Sequence, residues 1–355
     1  MVNLSQNRCA VWVASSTESA LTPTAVALGK FDGVHRGHQR VIAPILHQAG
    51  EEDKGTKRQF PLSLPSSPCV FDDATEHIYP TVVTFNPHPQ EFFTGVPHAL
   101  LTPVNEKVQQ LRSLGIQQLV LLPFGKELAA LTPEEFVEQI LVQQLQCQQI
   151  SVGEDFCFGK KRSGTAKHLQ FIAAKYGIPV TIVPIHTHAG NSTADSIEEK
   201  RISTSLIRQH LADGNIELAN QLLGRSYSLT GVVVFGQQMG RTINFPTANL
   251  QLPTEKFLPR QGVYAVRVFI EESLNPIGIE GVMNIGNRPT VNGTHSTVEV
   301  HLLDWVGDLY GKNLTVHLAK FLRPEQKFAS LEDLKTQIQL DCIAAKQVLN
   351  GNTKD

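Results

Sequence analysis

The rhythm of apolar and polar positions changes once along this chain. In the first half, short apolar runs alternate with segments of helical period. Ala25 to Leu28, Thr81 to Phe85, Leu119 to Leu122, Ile150 to Val152 and Val180 to Val183 read as buried strands, with Cys9 to Ala14 as a leading strand. Between them lie helix patterns with their own start and stop signals. Thr102 followed by Pro103 gives an N-cap and a first-turn proline ahead of a stripe of Val104, Val108, Leu111 and Leu114, closed by Gly115. Thr132, Pro133 and Glu135 have capping-box spacing before Phe136, Ile140 and Leu141, and Thr165 to Tyr176 is a further helix stopped by Gly177. Alternation of this kind predicts a parallel sheet with right-handed crossovers, which binds ligands at the carboxyl ends of its strands.

After about Gly224 the period shortens. Ser228 to Phe235, Val263 to Ile270, Ile277 to Ile285, Thr297 to Leu303 and Leu314 to Phe321 are β-rich, several alternate apolar with polar, and turn residues separate them, which predicts an antiparallel sheet or barrel. A last helix starts at the capping Ser330 and carries Leu331, Leu334, Ile338, Ala345 and Leu349 as its apolar stripe. Helices between Ser203 and Gly224 join the halves. Glu51 to Pro80, rich in Ser, Pro, Asp and Lys, reads as a long surface loop.

Composition removes several classes of function. The chain has 355 residues, room for two domains, with 41% hydrophobic and 18% charged residues, and no tract is apolar for long enough to cross a bilayer. Five scattered cysteines without a C-x-x-C pair, and no secretory leader, predict a reducing, cytoplasmic setting. A net charge of -2 supplies no basic field for nucleic acid, so a bound phosphate belongs to a small molecule.

The candidate chemistry begins at Leu28 to His38, LGKFDGVHRGH. A strand end, a glycine-bearing loop and a helix start form an anion site, because free backbone N–H groups and the positive end of the helix dipole point at the loop. Gly33 and Gly37 let the backbone approach a ligand, and His35 and His38 add imidazole donors. A metal pair or a satisfied surface histidine would use the same residue types. The helix that follows puts Val41, Ile42, Ile45 and Leu46 on one face, with Pro44 predicting a kink. In NPHP, Asn86 to Pro89, two prolines fix the backbone of His88, which suits a presented side chain or a rigid turn. Because the FDGVHRGH, NPHP and GEDFCFG segments all follow strands, they are expected at one sheet edge.

FDGVHRGH, TFNPHP, VGEDFCFGKKRSG and KRISTSLIR resemble, in order, the adenylyltransferase module of bacterial bifunctional riboflavin kinase/FAD synthetases. GQQMGRTINFPTANL, GVYAV, GVMNIGNRPT, TVEVHLLD and DLYG resemble their kinase module. The resemblance implies an N-terminal Rossmann-like nucleotidyltransferase domain over 1–213, a linking helix over 214–225 and a riboflavin kinase barrel over 226–355. It implies two reactions, phosphorylation of riboflavin to FMN and adenylylation of FMN to FAD, with ATP and Mg²⁺ in both. Riboflavin, FMN and ATP would be the small-molecule partners, with no nucleic acid or membrane.

Carried onto this sequence, the resemblance places Gly29, Phe31, Asp32, Gly33, Gly37, His88, Asp155, Arg162, Ser203, Thr204 and Arg208 in nucleotide and phosphate binding, with His35 and His38 catalytic. Leu206 stands where the family often has an arginine, which leaves open a working kinase with an impaired adenylyltransferase; a flavin-binding regulator that keeps both folds is the rival from another class. In the second half Gly236, Gly240, Arg241 and Asn249 would bind nucleotide, Thr247 and Asn249 would hold Mg²⁺ with ATP, and Glu299 would be the base. Strand alternation puts Glu299 on the same side as Thr297 and His301, opposite Val298 and Val300. Asn244 stands where the family commonly has glycine.

Overall fold

The computed structural model describes residues 11–46, 77–189, 199–236, 240, 243–271, 278–290 and 293–351. Its contacts divide into two compact units whose chain segments interleave. The first comprises Met1–Phe31, His38–Val96 and Val108–Ile185; the second comprises Asp32–Gly37, Pro97–Lys107 and His186–Asp355.

The first unit carries a six-stranded, wholly parallel sheet: β1 (Trp12–Ala14), β2 (Thr24–Leu28), β3 (Tyr79–Asn86), β4 (Gln118–Pro123), β5 (Cys147–Gly153) and β6 (Val180–Val183), in the order β1-β4-β3-β2-β5-β6. Every residue of β2 is buried, which explains its uninterrupted apolar run, since a central parallel strand is covered on both faces. Val26, Leu28, Val83, Val120, Ile150 and Val152 form its core with Phe136, Leu141, Leu169 and Ile172. β3, β2 and β5 are neighbours, so the three segments that follow them leave the sheet side by side.

Local chemistry sets the helix ends. α1 (Arg36–Ile42) gives way at Ala43–Leu46 to a tighter 3₁₀ turn, the disturbance expected from Pro44. α2 (Pro89–Thr94) follows NPHP, and His88 caps it, Nδ1 accepting from Gln90 N at 3.2 Å. α3 (Val104–Ser113) begins one residue later than a Pro103 start would place it. The capping box at Thr132 and Glu135 is complete, and α4 (Ala166–Ala174) is capped by the Thr165 hydroxyl.

In the second unit, α5 (Thr204–Asp213) and α6 (Ile216–Leu223) lead into a closed antiparallel barrel. Its strands are β7 (Ser228–Val234), β8 (Ala248–Gln251), β9 (Gly262–Ile270), β10 (Ile279–Thr290), β11 (Gly293–Leu302) and β12 (Asn313–Arg323), closed in the order β7-β8-β11-β10-β9-β12. β8 has no counterpart among the sequence expectations. Val298, Val300, Met283, Ile285, Tyr264 and Val316 fill the barrel and share one core with Leu101, Ile207, Leu211, Ile216 and Leu223. α7 (Leu331–Gly351) lays Ala345 and Leu349 on Val263, Ala265 and Val282, on the barrel's outer face. Leu331, assigned above to the apolar stripe of this helix, is 60% exposed, because α7 begins beyond the barrel wall it covers. The expected loop over 51–80 lies outside the described residues up to 76; Tyr79 and Pro80 already belong to β3.

Candidate functional site

The histidine segment is a strained loop. Phe31 (φ 46°), Gly33 (φ 88°) and Val34 (φ 42°) all lie in the left-handed region, where a phenylalanine or valine is held at a cost of about 1–3 kcal/mol. Its glycines are tightly packed on the side that a Cβ would occupy. A Cβ on Gly37 would lie 3.0 Å from the His35 ring, one on Gly33 3.0 Å from Leu101, and one on Gly29 3.1 Å from the Phe31 ring. The space at each is filled by the chain's own side chains, so a larger residue would disturb the loop.

Within the second unit the loop is tied down at Asp32 and Gly33. Gly33 N donates to the Thr102 hydroxyl at 2.9 Å, and Thr102 N donates to Asp32 Oδ1 at 3.2 Å. Thr102 therefore spends its hydroxyl on the histidine loop and not on capping α3. From α5, Thr204 Oγ1 donates to the Asp32 carbonyl at 3.2 Å and Arg208 Nη2 to Asp32 Oδ2 at 2.7 Å. Arg208 also reaches the Ala99 carbonyl and the His98 ring, and its guanidinium lies 4.8 Å from the Phe257 ring centre. Ser203 caps α5, its hydroxyl accepting from Leu206 N at 3.2 Å. Leu206 packs against the hydrophobic core. The structure thus brings Asp32, Gly33, Thr204 and Arg208 together, with the side-chain end of Arg208 committed to the loop.

His35 is only 5% exposed, and burial, aided by the charges of Arg201 and Arg225 and opposed by Asp32, lowers its pKa to about 4. It is a neutral imidazole at physiological pH. In the first unit His38, in the first turn of α1, rests its ring 5.2 Å from that of Phe31. There too, partial burial and the charge of Arg162 lower the Lys30 pKa while Asp155 opposes them, which places both predicted residues in the electrostatic surroundings of Lys30.

Sequence reasoning passed over an aromatic surface at the carboxyl ends of β3 and β4. Phe124 meets Phe85, Phe92 and Phe93 edge-on at 5.5, 5.4 and 5.8 Å, and Phe93 is 71% exposed. The signal was the Phe92–Phe93 pair just after NPHP.

The barrel presents a second constellation. Asn249 pairs directly with Glu299 across β8 and β11, and Glu299 pairs with Asn284 across β11 and β10. Their neighbours Ala248, Leu250, Val298, Val300, Met283 and Ile285 point into the core, so all three polar residues stand on the outer face, as alternation predicted for Glu299. The Asn249 side chain lies over Gly236, where an added Cβ would meet it at 2.3 Å, and a Cβ on Gly240 would strike the Phe245 carbonyl at 2.2 Å. His301 Nδ1 hydrogen-bonds the Pro246 carbonyl at 2.8 Å, fixing the approach to Thr247. Asn244 adopts φ 65°, a conformation that glycine and asparagine share, so the expected substitution for glycine keeps the turn. Arg241 lies outside the described residues.

Two further features were missed. Asn284 Nδ2 donates to Glu325 Oε1 at 3.1 Å, and the same carboxylate oxygen would clash with any Cβ on Gly286. Phe235, 74% exposed, stacks on Tyr310 at 4.0 Å.

A parallel α/β sheet with a histidine loop at its edge, and a closed barrel with a carboxylate between two asparagines on its wall, define a two-module nucleotide-dependent transferase. Comparison with known proteins agrees. The riboflavin kinase family model matches residues 223–349 and the FAD synthetase model matches 17–57 and 70–196. Proteins named bifunctional riboflavin kinase/FMN adenylyltransferase are 38% identical over 330 residues in Escherichia coli K12 (93% of each chain) and 34% identical over 325 residues in Bacillus subtilis (90% of each chain). A solved Streptococcus pneumoniae structure described as a macrolide-efflux protein covers 95% of this chain and 98% of its own, at 27% identity and a TM-score of 0.74. No helix among the described residues is long and apolar enough to cross a membrane. The chain belongs to the bacterial bifunctional riboflavin kinase/FMN adenylyltransferase family.

Proposed function

We propose that this chain phosphorylates riboflavin to FMN on the Asn249–Glu299 face of the barrel and adenylylates FMN to FAD at the histidine segment, each time with ATP. The observation that carries the reading is the direct cross-strand pairing of Asn249 with Glu299, which sets a carboxylate beside a neutral oxygen donor on a rigid wall. Division into modules over 1–213 and 226–355, with 214–225 as the link, follows the same assignment.

The two reactions ask for different groups. Riboflavin attacks through a neutral hydroxyl whose proton must leave, and Glu299 accepts it, a contribution of about 10²- to 10⁴-fold. The Thr247 hydroxyl and the Asn249 amide oxygen are hard, neutral oxygens, which fit Mg²⁺ brought in on ATP phosphates. Bound there, the ion neutralises phosphate charge. Gly236 and Gly240 shape the nucleotide site, Arg241 binds the nucleotide, and exposed Phe235 offers a flat apolar face.

In adenylyl transfer the FMN phosphate is already an anion, its second pKa being about 6. It attacks the α-phosphorus of ATP and pyrophosphate leaves, so no base is required. Protein groups are needed to hold the phosphates as charge shifts along them. His35 and His38 donate N–H hydrogen bonds, and Asp155, Arg162, Ser203, Thr204 and Arg208 position the nucleotide and its loop. His88 is held beside the aromatic surface of Phe92, Phe93 and Phe124, which suits the flavin ring. Leu206 packs against the hydrophobic core, which is compatible with full or impaired adenylyltransferase activity. Small substrates and free cysteines fit a cytoplasmic enzyme.

The test is incubation of purified protein with riboflavin, ATP and Mg²⁺, resolving riboflavin, FMN and FAD by chromatography over time. FMN should appear first and FAD after it. Accumulation of FMN alone would establish the kinase with a silent adenylyltransferase, and absence of both products would leave a flavin binder.

A further inference from the structure

Arg225 stands where the chain turns from α6 into the first barrel strand. Gly224 takes φ 75° there, and Asn220 fixes the backbone on either side, its carbonyl accepting from Arg225 N at 3.2 Å and its Oδ1 from Tyr227 N at 2.7 Å. The guanidinium Nε and Nη1 are shielded from solvent and have no hydrogen-bond partner among the described residues. The carboxylates that act on it are bonded elsewhere, Asp32 to Arg208 at 2.7 Å and Glu106, through Oε2, to Lys256 at 2.5 Å, and Glu106 Oε1 makes no hydrogen bond among the described residues. A guanidinium cannot relieve its burial by losing a proton. Asp32 and Glu106 act on its charge from a distance, but buried Nε and Nη1 donors without an acceptor are a site that an anion would complete.

The end of α6 lies beside the histidine loop: Leu223, two residues before Arg225, comes within 3.6 Å of where a Cβ on Gly33 would sit. Arg225 also acts electrostatically on His35, Glu106 and Tyr227. We propose that Arg225 is an electrostatic positioning residue for adenylyl transfer, its fixed charge holding the polyphosphate of the nucleotide at the histidine loop. This rests on reading that loop as the adenylylation site. Neutral His35 supplies one ring N–H donor but no charge, and Arg225 supplies charge through a low-dielectric interior, where it is poorly screened. Arg225 lies within the riboflavin kinase match and outside the FAD synthetase match, at the end of the 214–225 link.

The test uses the full chain with Arg225→Met, Arg225→Lys and, as reference, His38→Ala. FAD formation from FMN and ATP should fall about tenfold or more in Arg225→Met and recover most of that loss in Arg225→Lys, with FMN formation from riboflavin held within about twofold. Loss of the cation should also raise the His35 pKa, read by NMR titration and assigned with His35→Asn. Unchanged FAD formation in Arg225→Met would overturn the proposal. So would a parallel fall in both reactions, or a lysine variant no better than methionine with the histidine titration unmoved. If His38→Ala itself keeps making FAD, the reading of the loop fails independently of Arg225.

Discussion

Replacing Glu106 by glutamine should destabilise the second unit more than any single surface change, because it strands a buried ammonium. Lys256 Nζ lies 2.5 Å from Glu106 Oε2, and the side chains are 1% and 6% exposed. The ammonium also donates to the Leu101 carbonyl at 2.8 Å and sits 4.5 Å from the Tyr227 ring centre. Burial pushes the Glu106 carboxyl up and the Lys256 ammonium down, the sign of two charges tolerated only because they face each other. Removing one partner of such a pair costs about 3–5 kcal/mol, whereas replacing both by apolar groups is close to neutral. For a unit of this size that loss lowers Tm by roughly 10 °C. Trp305 packs against the second unit's core, so its fluorescence in a Trp12→Phe background reports that unit alone. The Glu106→Gln melt should fall accordingly, and Glu106→Leu combined with Lys256→Met should recover most of it. A single variant within about 1 kcal/mol of the parent, or a double variant as unstable as the single, would refute the reasoning.

Three other outcomes follow from the same structure. His35 titrates near 4 when folded against 6.5 when unfolded, so the unfolded chain binds the extra proton between those values and stability is lost as pH falls through that window, by about 3 kcal/mol at completion. Urea unfolding at a series of pH values should show this loss shrinking in His35→Asn; an unchanged acid limb would count against the burial of a neutral imidazole. A fragment from Ser226 onward should make FMN and no FAD, and one beginning at His186 should melt higher, because Ile207, Leu211, Ile216 and Leu223 complete the barrel's core. Equal melting temperatures would contradict that shared core.

Most of the architecture was legible because its burial is regular. β2 is covered on both faces and reads as an unbroken apolar run, while Glu299 between Val298 and Val300 reports a strand with one dry and one polar side. β8 escaped notice because Asn249 interrupts a strand of only four residues, Ala248–Gln251. What the sequence could not show were partners distant along the chain. Asp32 and Arg208 stand 176 positions apart, and Thr102 looked like an ordinary helix cap until Gly33 claimed its hydroxyl. The crowding at Gly37 was hidden for the same reason, since the ring beside it belongs to His35 in a loop whose φ values no periodicity encodes. Glu325 carried no motif, and only the barrel's closure sets it over Gly286.

The most direct test of two sites in one chain compares His38→Ala with Glu299→Gln in the same flavin chromatography, feeding riboflavin to one portion of each preparation and FMN to the other. His38→Ala should convert riboflavin to FMN at close to the parent rate and yield almost no FAD from either feed. Glu299→Gln should lose about 10²-fold or more in FMN formation, with little change in substrate KM, and still convert supplied FMN to FAD. Parallel loss of both activities in either folded variant, or a glutamine variant that phosphorylates riboflavin within a few-fold of the parent, would contradict the account.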